Sequence, residues 1–422
     1  MKIVQRFFVL LFPAVLAGSI THAQNNTSPY SMLGVGDIEN SSFDKTNGMG
    51  HAGLALSSSR FFYQANPASF SALDDHFFAF EASARYKGVT YSGSAINTTS
   101  DQSSDLQFKK IALAIKIKPR WAVSAGILPY STSNYSLSAQ KYIQGTNASV
   151  PAVYTGTGGL SQFYVTNSYR VSSHFSVGLQ ASYLFGTLQQ TEAIFTDSTL
   201  ITTNNIFVGN PYFKFGMQYK TKVNNNLSIA AGATASTQTK LRANYTLNVT
   251  YGNTQLVSND LYRANFYTIP LNYAGGLAAI IKDKYTIAFD YNFQKWSDNN
   301  ITGPGYELVN SSTYSGGFEY ARKLRFTDAS TKEVYSIDRF FYQAGLFYNA
   351  SYLKLYGQQL ENYGLTLGFG LNSLRNNLGL QFNVEVGQRG TTNYGLVKEN
   401  YTQVTLTLSY RDRWFTKIKR YN

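Results

Sequence analysis

Tyr285-Thr286-Ile287-Ala288-Phe289-Asp290-Tyr291-Asn292-Phe293-Gln294 decides the fold. Every second residue of this stretch is large and apolar: Tyr285, Ile287, Phe289, Tyr291 and Phe293. The residues between them, Thr286, Ala288, Asp290, Asn292 and Gln294, are small or polar. Period two is the signature of a β-strand with one apolar and one polar face. The same pattern recurs at Phe78–Tyr86, Phe175–Tyr183, Leu378–Val386 and Val404–Tyr410. A sandwich would alternate too, so length has to decide. These runs extend for about 10 to 20 residues, against ~5–6 for an ordinary soluble strand. Long aromatic strands suit a transmembrane antiparallel β-barrel, whose apolar face meets lipid and whose polar face meets the lumen. Only a closed barrel leaves no strand edge unpaired in lipid.

Composition agrees. The chain of 422 residues carries 33 Tyr and 29 Phe but 3 Trp and no Cys. Charged residues are 14% of the chain, well below the ~25% of a soluble globular domain. The apolar content excludes a disordered protein, and the missing cysteine excludes a disulfide scaffold, a thiolate metal site or a thiol nucleophile. Lys2 and Arg6 precede the apolar run Phe7–Ile20, followed by Thr21-His22-Ala23. That is the layout of a secretory signal peptide cleaved after Ala23. The run is too short, and too interrupted by Pro13, to read as an anchor. Export makes nucleic acid an unsuitable partner for the net charge of +13. Anionic headgroups or polysaccharide suit it better.

Breaks between strands give a count. Short polar turns fall at 118–120, 172–174, 222–226, 282–284 and 374–377. Longer Ser/Thr/Asn/Gly-rich segments lie near 97–104, 132–160, 191–206, 240–263, 298–311, 356–361 and 390–400. Alternating short and long connections, with seven long ones, predict about fourteen strands and both termini on the periplasmic side. Two places strain this reading: Lys87-Gly88 could be a hairpin turn, and 323–338 is long where a short turn is expected. The chain thus divides into a signal peptide (1–23), an N-terminal segment (24–75), the barrel (76–412) and a basic periplasmic tail (413–422).

Residues 24–75 do not alternate and are rich in Asn, Ser, Gly and Met. They read as either a disordered arm or a plug; a barrel of this size encloses more space than its lining side chains fill, which favours the plug. The order of features here resembles the FadL-type outer-membrane transporters of hydrophobic compounds: signal, Gly48-Met49-Gly50-His51-Ala52-Gly53, Asn66-Pro67-Ala68, then a barrel. Pro270-Leu271-Asn272-Tyr273-Ala274-Gly275, leading to Ala288-Phe289-Asp290-Tyr291 and Trp296-Ser297, is a second matching block. Ser28-Pro29-Tyr30-Ser31 and the Trp414-Phe415 tail look like barrels of the Bacteroidetes group. The resemblance implies a lumen plug that includes Asn66, Pro67 and Ala68, entry of an apolar ligand from outside, and sideways release through the wall. It assigns no ligand-contacting residue.

Other chemistry is sparse. Gly368-Phe369-Gly370 sits inside an alternating strand with no helix after it, so it does not read as a nucleotide loop. Glu385 and Arg389 share the polar face of one strand, as members of a lumen ion-pair lattice would. Asp290 is read the same way, as a lumen group rather than a catalytic one. His51, His76 and His174 lie in no triad setting. Trp121 and Trp296 are read as girdle residues at strand ends, with Trp414 just beyond the last strand. The sequence therefore predicts no enzyme, cofactor or metal. The expected function is passive uptake of hydrophobic compounds, long-chain fatty acids or aromatic hydrocarbons, across the outer membrane, in contact with its lipid. The alternative is a FadL-like barrel that does not transport and instead partners components of a protein secretion machine.

Overall fold

The computed structural model describes residues 28–413, apart from 76, 94–100, 144, 146–147, 328–333 and 374–376. The predicted signal peptide, His76 and the tail from Trp414 lie outside the described residues.

Fourteen antiparallel wall strands form a closed ring. They are β1 (Phe77–Ser92), β2 (Gln102–Lys118), β3 (Trp121–Thr132, resuming at Tyr135–Tyr142), β4 (Ser149–Arg170), β5 (Phe175–Phe195) and β6 (Thr199–Asn224). Next come β7 (Leu227–Ser236, continued by Thr239–Tyr251), β8 (Thr254–Ile269, continued by Asn272–Ile281) and β9 (Tyr285–Gln294). The ring finishes with β10 (Ser311–Thr327), β11 (Val334–Leu355), β12 (Gln358–Asn372), β13 (Leu378–Arg389) and β14 (Lys398–Arg413). Closure is by β1 on β14, in register from Phe77 opposite Arg413 to Ser92 opposite Lys398. The all-β barrel is the one expected from periodicity, and its strand number the one expected from the spacing of the breaks.

The two faces sort as the alternation requires. Tyr285, Ile287, Phe289 and Tyr291 are exposed on the outside, whereas Asp290 is buried within. Outward Tyr291, Tyr314, Tyr348 and Tyr363 stand opposite one another on β9 to β12 and make a tyrosine row around that side. Trp121, at the start of β3, is 36% exposed and fits the opposite girdle. An arginine replacing Phe289 would face hydrocarbon. Phe289→Arg should therefore cost about 2–4 kcal/mol if Phe289 lies at mid-bilayer, while Asn292→Arg, facing the lumen, costs far less. Equal recovery of both variants as heat-modifiable folded barrel would refute the facing.

Four expectations need correction. Lys87-Gly88 is not a turn, because β1 runs unbroken through it. Residues 323–327 and 334–338 are strand and not turn: Lys323 to Thr327 pairs with Asp338 to Val334, which lengthens β10 and β11. Much of 132–160, 191–206 and 240–263 is strand as well. These Thr/Asn-rich stretches keep their ladders beyond the bilayer, so β4 to β8 rise as a tall wall on one side of the mouth. β6 alone has 26 residues, ~85 Å of strand at the usual rise. Trp296 also departs from the girdle reading. It is fully buried and stacks on Tyr352 with ring centroids 4.4 Å apart, while its indole N–H donates to Gln294 Oε1. The chain after β9 turns inward there, over the lumen.

Candidate functional site

Residues 28–75 run through the middle of the ring, and most of them are buried. Short 3-10 turns, two of them capped by side chains, shape them. Asp44 accepts from the Thr46 N–H at 2.8 Å, and through its other oxygen from the Gln64 N–H at 2.8 Å. Asn66 caps the turn Pro67–Ala72: its Oδ1 accepts from the Ala68 N–H at 3.0 Å. Its amide donates to Leu54 O at 2.9 Å and to Met217 O, on β6, at 3.0 Å. Pro67 suits the first position of such a turn because its missing N–H is not needed there. Asn66, Pro67 and Ala68 thus lie together against the wall, all three buried.

The wall makes room with glycine. A Cβ on Gly178 would strike the Pro67 backbone, on Gly216 the Asn66 side chain, and on Gly232 Leu54 O. On Gly317 and Gly345 it would strike Met49, and on Gly368 the Gly48 Cα. The Gly368-Phe369-Gly370 stretch therefore belongs to this belt: Gly368 faces the segment, and Phe369 is partly exposed on the outside. On the segment side, Gly50 adopts φ +62, and a Cβ there would meet β10 and β11 backbone. Two backbones approach each other with no side chain between them.

Charge fixes the seating. Lys45 pairs with Glu319 and Asp338, both at 2.9 Å, and all three side chains are nearly inaccessible. Lys110 and Glu81 form a buried pair at 2.6 Å, and Glu81 also accepts the Phe62 N–H. Asp290 accepts the Gly53 and Leu54 N–H groups at 2.6 and 2.9 Å. Arg389 binds Asp37 at 2.7 Å, and Glu385 binds His51 Nε2 at 3.0 Å. Glu385 and Arg389, on one face as predicted, serve the N-terminal segment and not each other. Buried ion pairs contribute little net stability against an apolar alternative, but a misplaced one is costly. They specify one seat for the segment.

His51 makes that seat pH-sensitive. Burial lowers its pKa, but the hydrogen bond and charge of Glu385 outweigh it, so His51 keeps its proton above the usual 6.5. A raised histidine pKa stabilises the seat fully below ~6.5 and loses that contribution as pH rises through the raised value. Residues 28–75 should become more protease-accessible as pH rises above about 6.5. His51→Gln should flatten that component, and an unchanged pH profile in that variant would refute it.

Above this seat an apolar cluster that includes Tyr30, Val35, Trp296, Leu308, Tyr352 and Leu353 fills the mouth. Beside the seat lies a cavity of about 290 Å³ lined by Glu39, Arg85, Lys87, Lys109, Arg389 and Glu399 among other polar groups. It extends to a break in the wall. β2 and β3 pair only from Ile111 opposite Ile127 downward. Beyond that, β3 bends at Pro129, which has no N–H to give a ladder. Ser131 and Thr132 then pair with Ile38 and Asp37 of the N-terminal segment instead of with β2. The β2 edge from Ser103 to Lys110 has no strand partner on that side among the described residues, and Leu106 and Phe108 are 68% and 63% exposed there. Asp105, Gln107 and Lys109 line the cavity from one margin of the gap, and Leu128 to Tyr130 from the other. Among the described residues no His/Cys/Asp/Glu group could hold a metal.

The fourteen-strand ring closes on itself, with residues 28–75 packed against the inner face of its wall. Its fold is that of the FadL/TodX-type outer-membrane barrels. The chain is 13% identical to a Pseudomonas aeruginosa FadL homologue of known structure (TM-score 0.56), over 88% of this chain and 98% of that one. It is 13% identical to the Ralstonia pickettii toluene transporter TbuX (TM-score 0.56; 92% and 100% covered). It is 12% identical to the Pseudomonas putida toluene transporter TodX (TM-score 0.56; 87% and 97% covered). No curated protein matches. The family model named BamG matches residues 3–422, so the chain belongs to the BamG family.

Proposed function

We propose that this protein is an outer-membrane barrel held shut by its own N-terminal segment, acting as a non-transporting partner of a protein secretion or assembly machine. The observation that carries this reading is the lumen. An apolar solute gains by leaving water for apolar surroundings, yet the cavity it would cross is walled by Arg85, Lys87, Lys109, Glu39 and Glu399. The mouth above it is packed with side chains, and the segment beneath is tied to several strands by the ion pairs of Lys45 with Glu319 and Asp338 and of Asp37 with Arg389. Such a barrel acts through its outer surfaces. Membership of a family labelled separately from the transporters is in keeping with this.

One observation favours the other reading, uptake of hydrophobic compounds with lateral release. The gap between β2 and β3 opens the cavity sideways, with Leu106 and Phe108 on its outer rim. In that case the substrates would be apolar molecules of the kind named for the structural relatives, toluene among them. A deletion strain separates the two. On the first reading, insertion or export of other surface proteins falls while uptake of toluene and of long-chain fatty acids is unchanged. Slowed uptake with normal protein export would reverse the choice.

A further inference from the structure

The tall wall has an unfinished side. β7 continues past the bilayer as Thr239–Tyr251 and pairs with β6 on one edge and with Thr254–Ile269 of β8 on the other. The upper part of β8 pairs with nothing else among the described residues. The strand that should cover it is β9, and β9 ends at Gln294, where the chain folds inward to bury Trp296. Near the bilayer the edge is covered, since Asn299 donates to Thr268 O. Farther out it is bare. From Asp260 to Asn265 the ladder with β7 is regular, and every residue of that run is exposed.

An unpaired strand edge offers a row of N–H and C=O groups to any extended chain. Natural sheets blunt such edges with proline, lysine, bulges or brevity. Thr254–Ile269 contains neither proline nor lysine, and its bulge near Asn259 lies on the distal side of the regular run. Leu261 and Tyr262 are 67% and 43% exposed on opposite faces. They stand ~40 Å along the strand from Tyr273 of the aromatic zone, too far for lipid to explain them.

We propose that Asp260–Asn265 is a docking edge for an extended, acidic segment of a different surface-exposed protein, which adds to the wall as an antiparallel strand. Main-chain bonds would give affinity and the alternating Leu261 and Tyr262 would give register. Charge sets the chemistry: the hairpin arms carry Lys240, Arg242 and Arg263 against one carboxylate, Asp260. Neither Asp260 nor Arg263 has an ion-pair partner among the described residues. Geometry excludes a second copy from the antiparallel mode. Two copies oriented alike in one bilayer present β8 running the same way, so they could add only in parallel. This rests on the reading that the barrel works through its exterior, but it is tested apart from it.

The test is hydrogen exchange on the full-length protein, first in native outer-membrane vesicles and then purified in lipid nanodiscs. Asp260–Asn265 amides should exchange roughly tenfold or more slowly in native membranes than in nanodiscs. Leu261→Pro, checked for assembly by its heat-modifiable gel shift, should abolish that difference at the neighbouring amides. Adding a synthetic alternating Val/Glu peptide to the nanodiscs should restore protection in the native sequence and not in Leu261→Pro. Fast exchange in both preparations, or equal protection in both, would overturn the proposal. So would a disulfide-linked dimer of Leu261→Cys, which is informative because the chain has no other cysteine. Those results leave the secretion and uptake phenotypes of the deletion strain to judge the broader reading.

Discussion

Deleting residues 24–75 behind an intact signal peptide should give a barrel that still assembles but conducts ions steadily in planar bilayers, where the full protein conducts none. Ring closure does not use the segment, apart from two residue pairs with β3. Its loss removes the groups that fill the ring, and water can then solvate Glu81, Asp290 and Glu319. A point change is harsher on the fold than the whole deletion. Lys45→Met retains the segment in the chain and leaves Glu319 and Asp338 without their cation. Breaking a buried pair from one side costs about 3–5 kcal/mol, enough to lower the yield of folded barrel or to expel the segment. A deletion barrel with unchanged conductance would mean that the mouth cluster alone closes the pore, and the assigned role of the segment would fall.

What could be read beforehand was whatever repeats along the chain. Tyr285 to Gln294 displayed both faces of its strand because lipid and lumen impose opposite chemistry on alternate residues. Strand number followed from the turns for the same reason. The upper wall was misread because β-extensions outside the bilayer need no lipid-facing stripe. In 240–263 the surviving signal was weaker: Leu241 and Ala243, both buried, alternate with Lys240 and Arg242. Trp296 was misplaced because its neighbours, Gln294 and Tyr352, come from separate strands. The lumen groups were legible in type and not in partner. Glu385 and Arg389 declared a polar face, but His51 and Asp37 lie more than 300 residues away in sequence, and no local pattern links them. The glycine belt was likewise invisible, since Gly317 and Gly345 look like ordinary strand glycines until Met49 is seen against them.

That belt gives the sharpest contrast between neighbouring residues. On β10, Gly316 has open space where a Cβ would stand, whereas a Cβ on Gly317 would run into the Met49 carbonyl, Cβ and Cα. Gly316→Val places a β-branched side chain on the lipid face, where strands favour it, and should assemble normally and stay non-conducting. Gly317→Val faces backbone on both sides, the wall held by its ladders to β9 and β11 and the segment held by Lys45 and Asp290. Overpacking of an interior typically costs about 1–3 kcal/mol, and here neither backbone can yield without breaking those ties. The segment is the part that gives way, because it carries fewer main-chain bonds than the wall. Gly317→Val should therefore conduct like the deletion, with residues around Met49 cut by protease in the intact membrane. If both valine variants were equally silent and equally protected, the close approach of Met49 to the wall would be wrong, and with it the account of how the lumen is shut.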